Sequence, residues 1–403
     1  MSQKPLKNFF DNFMKKNAMF LNKKVLQSQY TPDNIEHRDE QIDQIAKILA
    51  PSLRLERPSS LFVYGKTGTG KTLSVKYVTN QLLESAKNSN IPIKIVYINC
   101  KLKKVADTEY RLIAQVSRNF GKEIPPTGLP TDEVYKIFYS ALEKQQTLLL
   151  LILDEIDQLV SKAGDEILYN LIRINEELKN SQVGIIGISN DLMFIDNVDP
   201  RVKSSLSEEE IIFPPYNALQ IKSILEKRSK IAFRDDVIDQ GVIEKCAAYA
   251  AREHGDARRA LELMRVSGEI AERSGHDKIS MKHLDMAEEK IERDRLSDIV
   301  FTQPKQFQAT MYSIIKISSE KKGVLFTGEI YELYKSICQT IGLRPLTQRR
   351  ISDILCEMDM LGLINAKIIS KGRYGRTREI TLSIPPQSFN IIIKILEEGL
   401  GLK

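Results

Sequence analysis

The apolar positions fall into two regimes. Between Ser60 and Ile188 four short runs are dominated by apolar residues: Ser60 to Tyr64, Ile93 to Ile98, Thr147 to Leu153 and Val183 to Ile188. Stretches with helical spacing separate them. Parallel strands covered by helices on both faces read this way, without the alternation of a half-exposed sheet. Ahead of the first run, Ile35, Ile42, Ile45, Ile48 and Leu49 recur at helical spacing. They predict a helix that begins after Pro32 and is ended by Pro51 and Pro58. Beyond Phe213-Pro214-Pro215-Tyr216 the strand-like runs cease, and residues 217 to about 295 read as helices only, with the charged stretch Glu288 to Asp298 at or after the end of the last. From about residue 300 the pattern is three helices, then two β-like runs around Ile364–Ser370 and Thr377–Ile384. The expected organisation is a flexible tail over 1–15, an α/β domain over 16–213, an all-α domain over 214–298 and a mixed domain over 299–403.

Composition narrows this picture. A chain of 403 residues fits two or three domains, and 42% hydrophobic with 28% charged residues is not a disordered composition. The longest aliphatic run, Leu148 to Leu153, is far short of the about 20 residues that cross a bilayer. The N-terminus is polar and basic and lacks the apolar core of a signal peptide. The expectation is a cytoplasmic protein with no membrane partner. Cys100, Cys246, Cys338 and Cys356 show no metal-ligand spacing and read as buried thiols in a reducing compartment. His37, His254, His276 and His283 are scattered, which argues against a structural zinc site. The net charge of +6 is localised: residues 301–403 hold 15 Lys/Arg against 9 Asp/Glu, and the rest of the chain is neutral. A basic module on a neutral body suggests a polyanionic partner, although an ordinary solvated surface has the same charge.

Four short motifs carry chemistry. Gly65-Lys66-Thr67-Gly68-Thr69-Gly70-Lys71-Thr72 fits G-x-x-x-x-G-K-[ST], with a strand before it and a helix after it. In this pattern glycines let backbone N–H groups curl around phosphates, and the helix N-terminus adds positive potential. Lys71 is expected on the β- and γ-phosphates of ATP, or the β-phosphate of ADP, and Thr72 on Mg²⁺. The aliphatic strand ending in Asp154-Glu155 supplies an acidic partner. Asp154 would hold the metal ion and Glu155 would orient or polarise the attacking water, unless the pair only opens the helix near Ile156. Asn190 ends the run Ile185 to Ser189, on the side where such strands face a ligand crevice, and could bond the γ-phosphate or the water. It also reads as a turn former. Finally, Gly255-Asp256-Ala257-Arg258-Arg259 opens a helix with Asp256 as N-cap. Two arginines in a first helical turn oppose the helix dipole, which suggests that Arg258 faces an anion; pairing with Glu253 or Glu262 is the other reading.

The C-terminal segment has its own chemistry. Thr347-Gln348-Arg349-Arg350-Ile351 opens a helix whose Ile351, Ile354, Leu355 and Met358 share a face. Gln348, Arg349 and Arg350 suit the start of a recognition helix, because Gln and Arg can bond adenine and guanine bidentately. A basic hairpin follows, with Lys371, Arg373, Tyr374, Arg376 and Arg378 around two glycines. It resembles the wing of a winged helix that meets duplex DNA, where phosphate contacts position and few contacts specify. Winged helices also mediate protein contacts.

Taken in order, these pieces resemble an α/β P-loop AAA+ ATPase with an all-α lid and a C-terminal winged-helix domain. The resemblance narrows at His37-Arg38-Asp39-Glu40-Gln41-Ile42, at Asp199-Pro200-Arg201-Val202-Lys203-Ser204-Ser205-Leu206 and at Gly255-Asp256-Ala257-Arg258. Over about residues 15–385 the chain is similar to the archaeal replication initiators, relatives of the eukaryotic origin recognition complex and the cell-division-cycle helicase loader. That similarity implies several further features. A helical insertion at about 105–130 would touch DNA through Thr127, Gly128 and Leu129. Arg201 would act as an arginine finger in a neighbour's ATP site. His37 and Arg38 would lie near the adenine. Origin duplex DNA, a replicative helicase and a paralogous initiator would be partners at the nucleoid, and hydrolysis would be slow and regulatory. The competing classes are a signalling ATPase whose winged helix binds protein, and a clamp-loader-like motor. The basic wing argues against the first, and the absence of a helical collar domain argues against the second.

Overall fold

A computed structural model describes residues 18–402, apart from 29, 33, 102–105, 107, 126, 195–197, 206–207, 322, 371–375 and 385–387. The tail read over residues 1–15 lies outside the described residues. The chain divides into two units, up to Leu284 and from Asp285 onward.

In the first unit α1 (Asp39–Leu49) leads to β1 (Ser60–Tyr64), α2 (Lys71–Asn88) and β2 (Ile93–Asn99). Next come α3 (Glu109–Arg118), α4 (Thr131–Gln145), β3 (Leu148–Asp154), α5 (Ile156–Ala163) and α6 (Glu166–Glu177). Then follow β4 (Gln182–Ser189), α7 (Pro200–Ser205) and β5 (Glu208–Ile212). The five strands form one sheet in the order β2-β3-β4-β1-β5, with every pairing parallel. All seven residues of β3 are buried, and each such Leu or Ile contributes about 1.5–3 kcal/mol relative to exposure. One face packs Phe62, Val96, Leu149 and Leu151 against α3, α4 and α6; the other packs Leu61, Val63 and Ile186 against α1 and α2. The apolar runs of β1, β3 and β4 thus belong to strands covered on both sides, whereas β2, at the sheet edge, is only partly buried.

Two elements differ from the expectation. The apolar pattern predicts four strands, and β5 is a fifth. Its Glu209, Glu210 and Ile212 are exposed and its Ile211 is buried, as suits a charged edge strand. The first helix begins at Asp39, not after Pro32. His37 takes a left-handed backbone (φ 57°), which helical geometry forbids, so Ile35 lies before the helix although it is buried.

After Phe213–Tyr216 come α8 (Ala218–Ala232), α9 (Val242–Arg252) and α10 (Ala257–Arg273), the helical body expected there. The N-terminal residues 19–26 pack on it. Leu21 N donates to Ala232 O at 2.8 Å, Phe20 and Phe233 rings lie 4.7 Å apart, and Lys23 pairs with Glu269 at 2.5 Å. The division between the units falls within α11 (Met281–Thr302), so the charged stretch 288–298 is helical.

The second unit continues through α12 (Lys305–Glu320), β6 (Leu325–Phe326), α13 (Thr327–Thr340), α14 (Gln348–Met360), β7 (Ile364–Ser370), β8 (Arg376–Leu382) and α15 (Phe389–Leu400). Its antiparallel sheet has the order β6-β8-β7. Three helices and the β7–β8 hairpin were legible in the pattern; β6, two residues long, and α15 were not. Ile351, Leu355 and Met358 of α14 are fully buried, with Ile354 partly so, which confirms the apolar face.

Three cysteines are buried, but Cys356 is exposed, because it lies on the side of α14 away from that face. The histidines are not all dispersed: His283 Nε2 and His276 Nδ1 lie 3.2 Å apart. No group among the described residues could hold a metal ion through three His, Cys, Asp or Glu side chains. Among the same residues no helix is long and apolar enough to cross a membrane.

Candidate functional site

The parallel register brings the ends of four strands together. Asn99 of β2 stands beside Asp154 of β3, Asp154 beside Ile188 of β4, and Tyr64 of β1 beside Ser189. The Gly65–Thr72 loop leaves β1 at this edge and enters α2. A cavity of about 610 Å³ opens there. Thr67 to Thr72, Asp154, Glu155, Asn190 and Arg258 all line it, so four motifs far apart in sequence converge. Gly65 and Lys66 do not line it. Gly65 lies under Phe213, and Lys66 Nζ reaches His254 Nδ1 at 3.4 Å.

Lys71 Nζ is almost buried and donates to Gly65 O at 2.6 Å, Lys66 O at 2.8 Å and Asn190 Oδ1 at 2.9 Å. Burial pushes its pKa down to about 8; Asp154 opposes this and Arg258 adds to it. The loop thus holds its own lysine in the position of a cradle for anionic oxygen. Asn190 is placed by the end of β4 to share that lysine, beyond any turn-forming role.

Asp154 is the polar hub. Its Oδ2 accepts from Thr72 Oγ1 at 2.9 Å and from Tyr97 OH at 2.6 Å, and its Oδ1 accepts from Glu155 N at 3.0 Å. Burial and the Asp154 carboxylate push the Tyr97 phenol well up. The Thr72 hydroxyl and the Asp154 carboxylate are hard oxygen donors held side by side, which fits a Mg²⁺ ion. Glu155 takes a left-handed backbone (φ 56°) at the N-cap of α5, makes no side-chain cap bond there, and lines the cavity. Its carboxylate lies 3.7 Å from Lys101 Nζ.

Asp256 caps α10, accepting from Arg258 N at 2.8 Å and Arg259 N at 3.3 Å. Arg259, not Arg258, pairs with Glu253, at 3.1 Å. Arg258 lines the cavity and makes no ion pair among the described residues. One contact has no motif behind it: the start of α10 sits on the loop at Gly68. Ala257 N donates to Gly68 O at 3.3 Å, and a Cβ on Gly68 (φ +70°) would lie 1.7 Å from Asp256 Oδ1. Only glycine fits there.

His37 and Arg38, expected near the adenine, do not themselves line the cavity; Arg38 is buried against Thr69 of the loop, Pro214 and Tyr216. The far end of the cavity is instead lined by Tyr30, Ile35, Glu36, Tyr216 and α8 residues including Lys227 and Arg228. Glu36 bonds Ser223 at 2.6 Å and Lys227 at 2.7 Å, and Arg228 stacks on Tyr30. Sequence reading missed these because their partners are more than 180 positions apart for Glu36 with Ser223. Arg201 is exposed, paired with Asp199 at 3.1 Å, and does not line this cavity.

The expected nucleic-acid residues lie on surfaces. Thr127 and Gly128 are exposed in the loop between α3 and α4, Leu129 is partly buried against the sheet core, and Tyr110 OH bonds Pro125 O at 2.6 Å nearby. Gln348, Arg349 and Arg350 are exposed at the start of α14. That start is fixed by α13: Tyr334 accepts from Leu346 N at 3.0 Å and Tyr331 donates to Leu346 O at 3.1 Å. Arg378 of β8 donates to Ser352 O at 2.6 Å, tying the hairpin to α14. Lys371, Arg373 and Tyr374 lie outside the described residues; Arg376 opens β8.

Fold and site together define a P-loop AAA domain with a helical lid and a C-terminal winged helix. The family model of the AAA domain matches residues 54–192, that of the Cdc6 AAA+ ATPase-type lid domain residues 222–289, and that of the CDC6 C-terminal winged helix domain residues 298–390. The ORC1-type DNA replication protein of Pyrococcus abyssi is 49% identical over 393 residues, which cover 96% of this chain and 93% of that protein. The ORC1-type DNA replication protein 1 of Methanosarcina acetivorans is 49% identical over 401 residues, covering 99% and 95%. The structure of the Aeropyrum pernix ORC1 protein in complex with DNA matches with TM-score 0.84 and 41% identity, over 95% of this chain and 98% of that one. The chain belongs to the ORC1-type/Cdc6 family of archaeal DNA replication initiators.

Proposed function

We propose that this initiator binds origin duplex DNA and uses ATP as a switch, with slow hydrolysis, to recruit or load the replicative helicase. The observation that carries the switch is the convergence of Lys71, Asn190, Thr72 and Asp154 on one cavity edge, with Arg258 brought in from the lid. ATP and ADP fit the cavity, with the phosphates on Thr67–Thr72. Lys71 exchanges its loop carbonyls for phosphate oxygens. Thr72 and Asp154 would hold Mg²⁺, which offsets phosphate charge when bound. Glu155 and Asn190 orient the attacking water, and Arg258 holds the γ-phosphate from the lid. The exposed Arg201 serves a neighbouring copy or a paralogous initiator on the same origin.

The DNA reading rests on the exposed Gln348, Arg349 and Arg350 of α14, on the basic β7–β8 hairpin with Lys371, Arg373, Tyr374 and Arg376, and on the Thr127–Leu129 loop. The A. pernix relative solved with DNA supports it. Domain bounds of 16–213, 214–298 and 299–403 suit this division of labour. Footprinting of the full chain on its own genome's DNA, with ATP and with ADP, tests the reading. Protection is expected at discrete intergenic repeats. No protection at physiological salt would leave only the nucleotide switch and turn the winged helix toward protein contacts.

A further inference from the structure

Arg38 is a buried cation held by main-chain oxygens. Its side chain is 2% exposed. Nε donates to Thr69 O at 2.8 Å, a donor of the same guanidinium reaches Pro214 O at 2.6 Å, and another reaches His37 O at 3.2 Å. The guanidinium lies 3.8 Å from the centre of the Tyr216 ring and 5.5 Å from that of Phe213. Burial pushes its pKa below the ordinary arginine value, and Tyr216 is what counters this. Among the described residues this buried charge has no carboxylate partner, so its burial is offset by hydrogen bonds to main-chain oxygens and by the Tyr216 ring.

The donors show what it does. A guanidinium presents them in one rigid plane, so it fixes the oxygens that it bonds relative to one another. Here these are Thr69 in the phosphate loop and Pro214 in the hinge between the sheet and the helical body. Tyr216 extends the link in both directions. Its hydroxyl lies over the loop, where a Cβ on Gly70 would come within 2.8 Å. Its carbonyl lies against the lid, where a Cβ on Gly255 would come within 2.4 Å. Gly255 immediately precedes the Asp256 cap of α10, which itself rests on Gly68. Loop, hinge and lid thus form a closed circuit through one side chain.

We propose that Arg38 is a positioning residue that couples phosphate occupancy of the Gly65–Thr72 loop to the seating of the lid. The inference rests on the nucleotide-site reading above. Phosphates on the loop supply the full negative charge that Arg38 otherwise meets only as carbonyl dipoles and the Tyr216 side chain, so loading the loop tightens the tie to Pro214. The hinge and Gly255 then hold α10, and with it Arg258, in place.

The test uses the full-length chain, the R38M and R38K variants, and ATP or ADP as probe. Two quantities are read: nucleotide affinity, and the gain in amide-exchange protection at Ala257–Arg259 when nucleotide is added. A side chain that only stabilises the fold would change protection with and without nucleotide alike. In R38M we expect affinity to weaken a few-fold and the nucleotide-dependent gain at α10 to fall at least tenfold. R38K keeps the charge but cannot present a planar fork to both carbonyls, and a partial gain is expected. If R38M does not fold, R38K decides: a reduced gain supports the coupling and a full gain overturns it. A full gain in folded R38M also overturns it. Failure of the unmodified protein to bind either nucleotide would instead sink the nucleotide-site reading.

Discussion

The phosphate-loop edge and the start of α14 both present cations to an expected polyanion, yet they are built in opposite ways. At the loop edge Lys71 is 5% exposed and Arg38 2%, and each is held by three hydrogen bonds. At α14 Gln348, Arg349 and Arg350 all face solvent, and the Arg350 pair with Asp353 at 3.4 Å is a surface contact. Preorganised donors in a low-dielectric site suit a small anion of fixed shape, because little reorganisation is left when it binds. A solvated basic face suits a long polymer, whose binding is driven by release of condensed counterions. The same charge is thus spent on geometry in one region and on reach in the other.

Four measurements sharpen or break this contrast. The largest effect is expected from K71A, which removes the buried charge; ATP affinity should fall by about 100-fold or more in a titration of the pure protein. Affinity within threefold of the unmodified protein would end the assignment of the loop. Next, E155Q should bind ATP and lose about 100-fold in turnover, since a positioned base contributes on that scale. Unchanged turnover removes Glu155 from the mechanism. At the solvated face R349A should cost about 1–3 kcal/mol of duplex affinity if the side chain reads a base, or lower the salt slope by about 1 if it meets a phosphate. Equal affinity at every salt concentration would count against α14. The smallest effect is with pH. Lys71 is held down to about 8 in the free protein, and its ammonium form is the one that binds phosphate. ATP affinity should therefore be full below pH 8 and fall as pH rises through it, approaching about tenfold per unit. DNA affinity should stay flat over that window, because the arginines of α14 do not titrate there. A flat ATP profile from pH 7 to 9 would rule out a buried lysine that loses its charge in that window.

Legibility follows the range of the interactions. Strands β1 to β4, the Gly65–Thr72 loop and the Asp256 cap are set by consecutive residues, and the structure agrees with each. The β5 strand was hidden because an edge strand carries little apolar signal; Glu209 and Glu210 point to solvent beside Ile211. His37 concealed the start of α1, because a left-handed residue leaves no mark on hydrophobic spacing. Cys356 could be told from its buried counterparts only once the inner face of α14 was known.

What kind of protein this is was therefore written in short motifs: a phosphate loop after a buried strand, carboxylates at the end of another, and a basic helix and hairpin near the C-terminus. How the motifs act together was decided by the fold. Thr72 meets Asp154 across 82 positions, Lys71 meets Asn190 across 119, and Arg38 meets Pro214 across 176. Those distances close because β3, β4, β1 and β5 lie side by side and parallel, so that their ends share one edge. Local spacing can specify a strand and the loop that follows it. Which strand lies next to which, and which cation is buried as a result, depends on packing of the whole sheet, where long-range burial outweighs local preference.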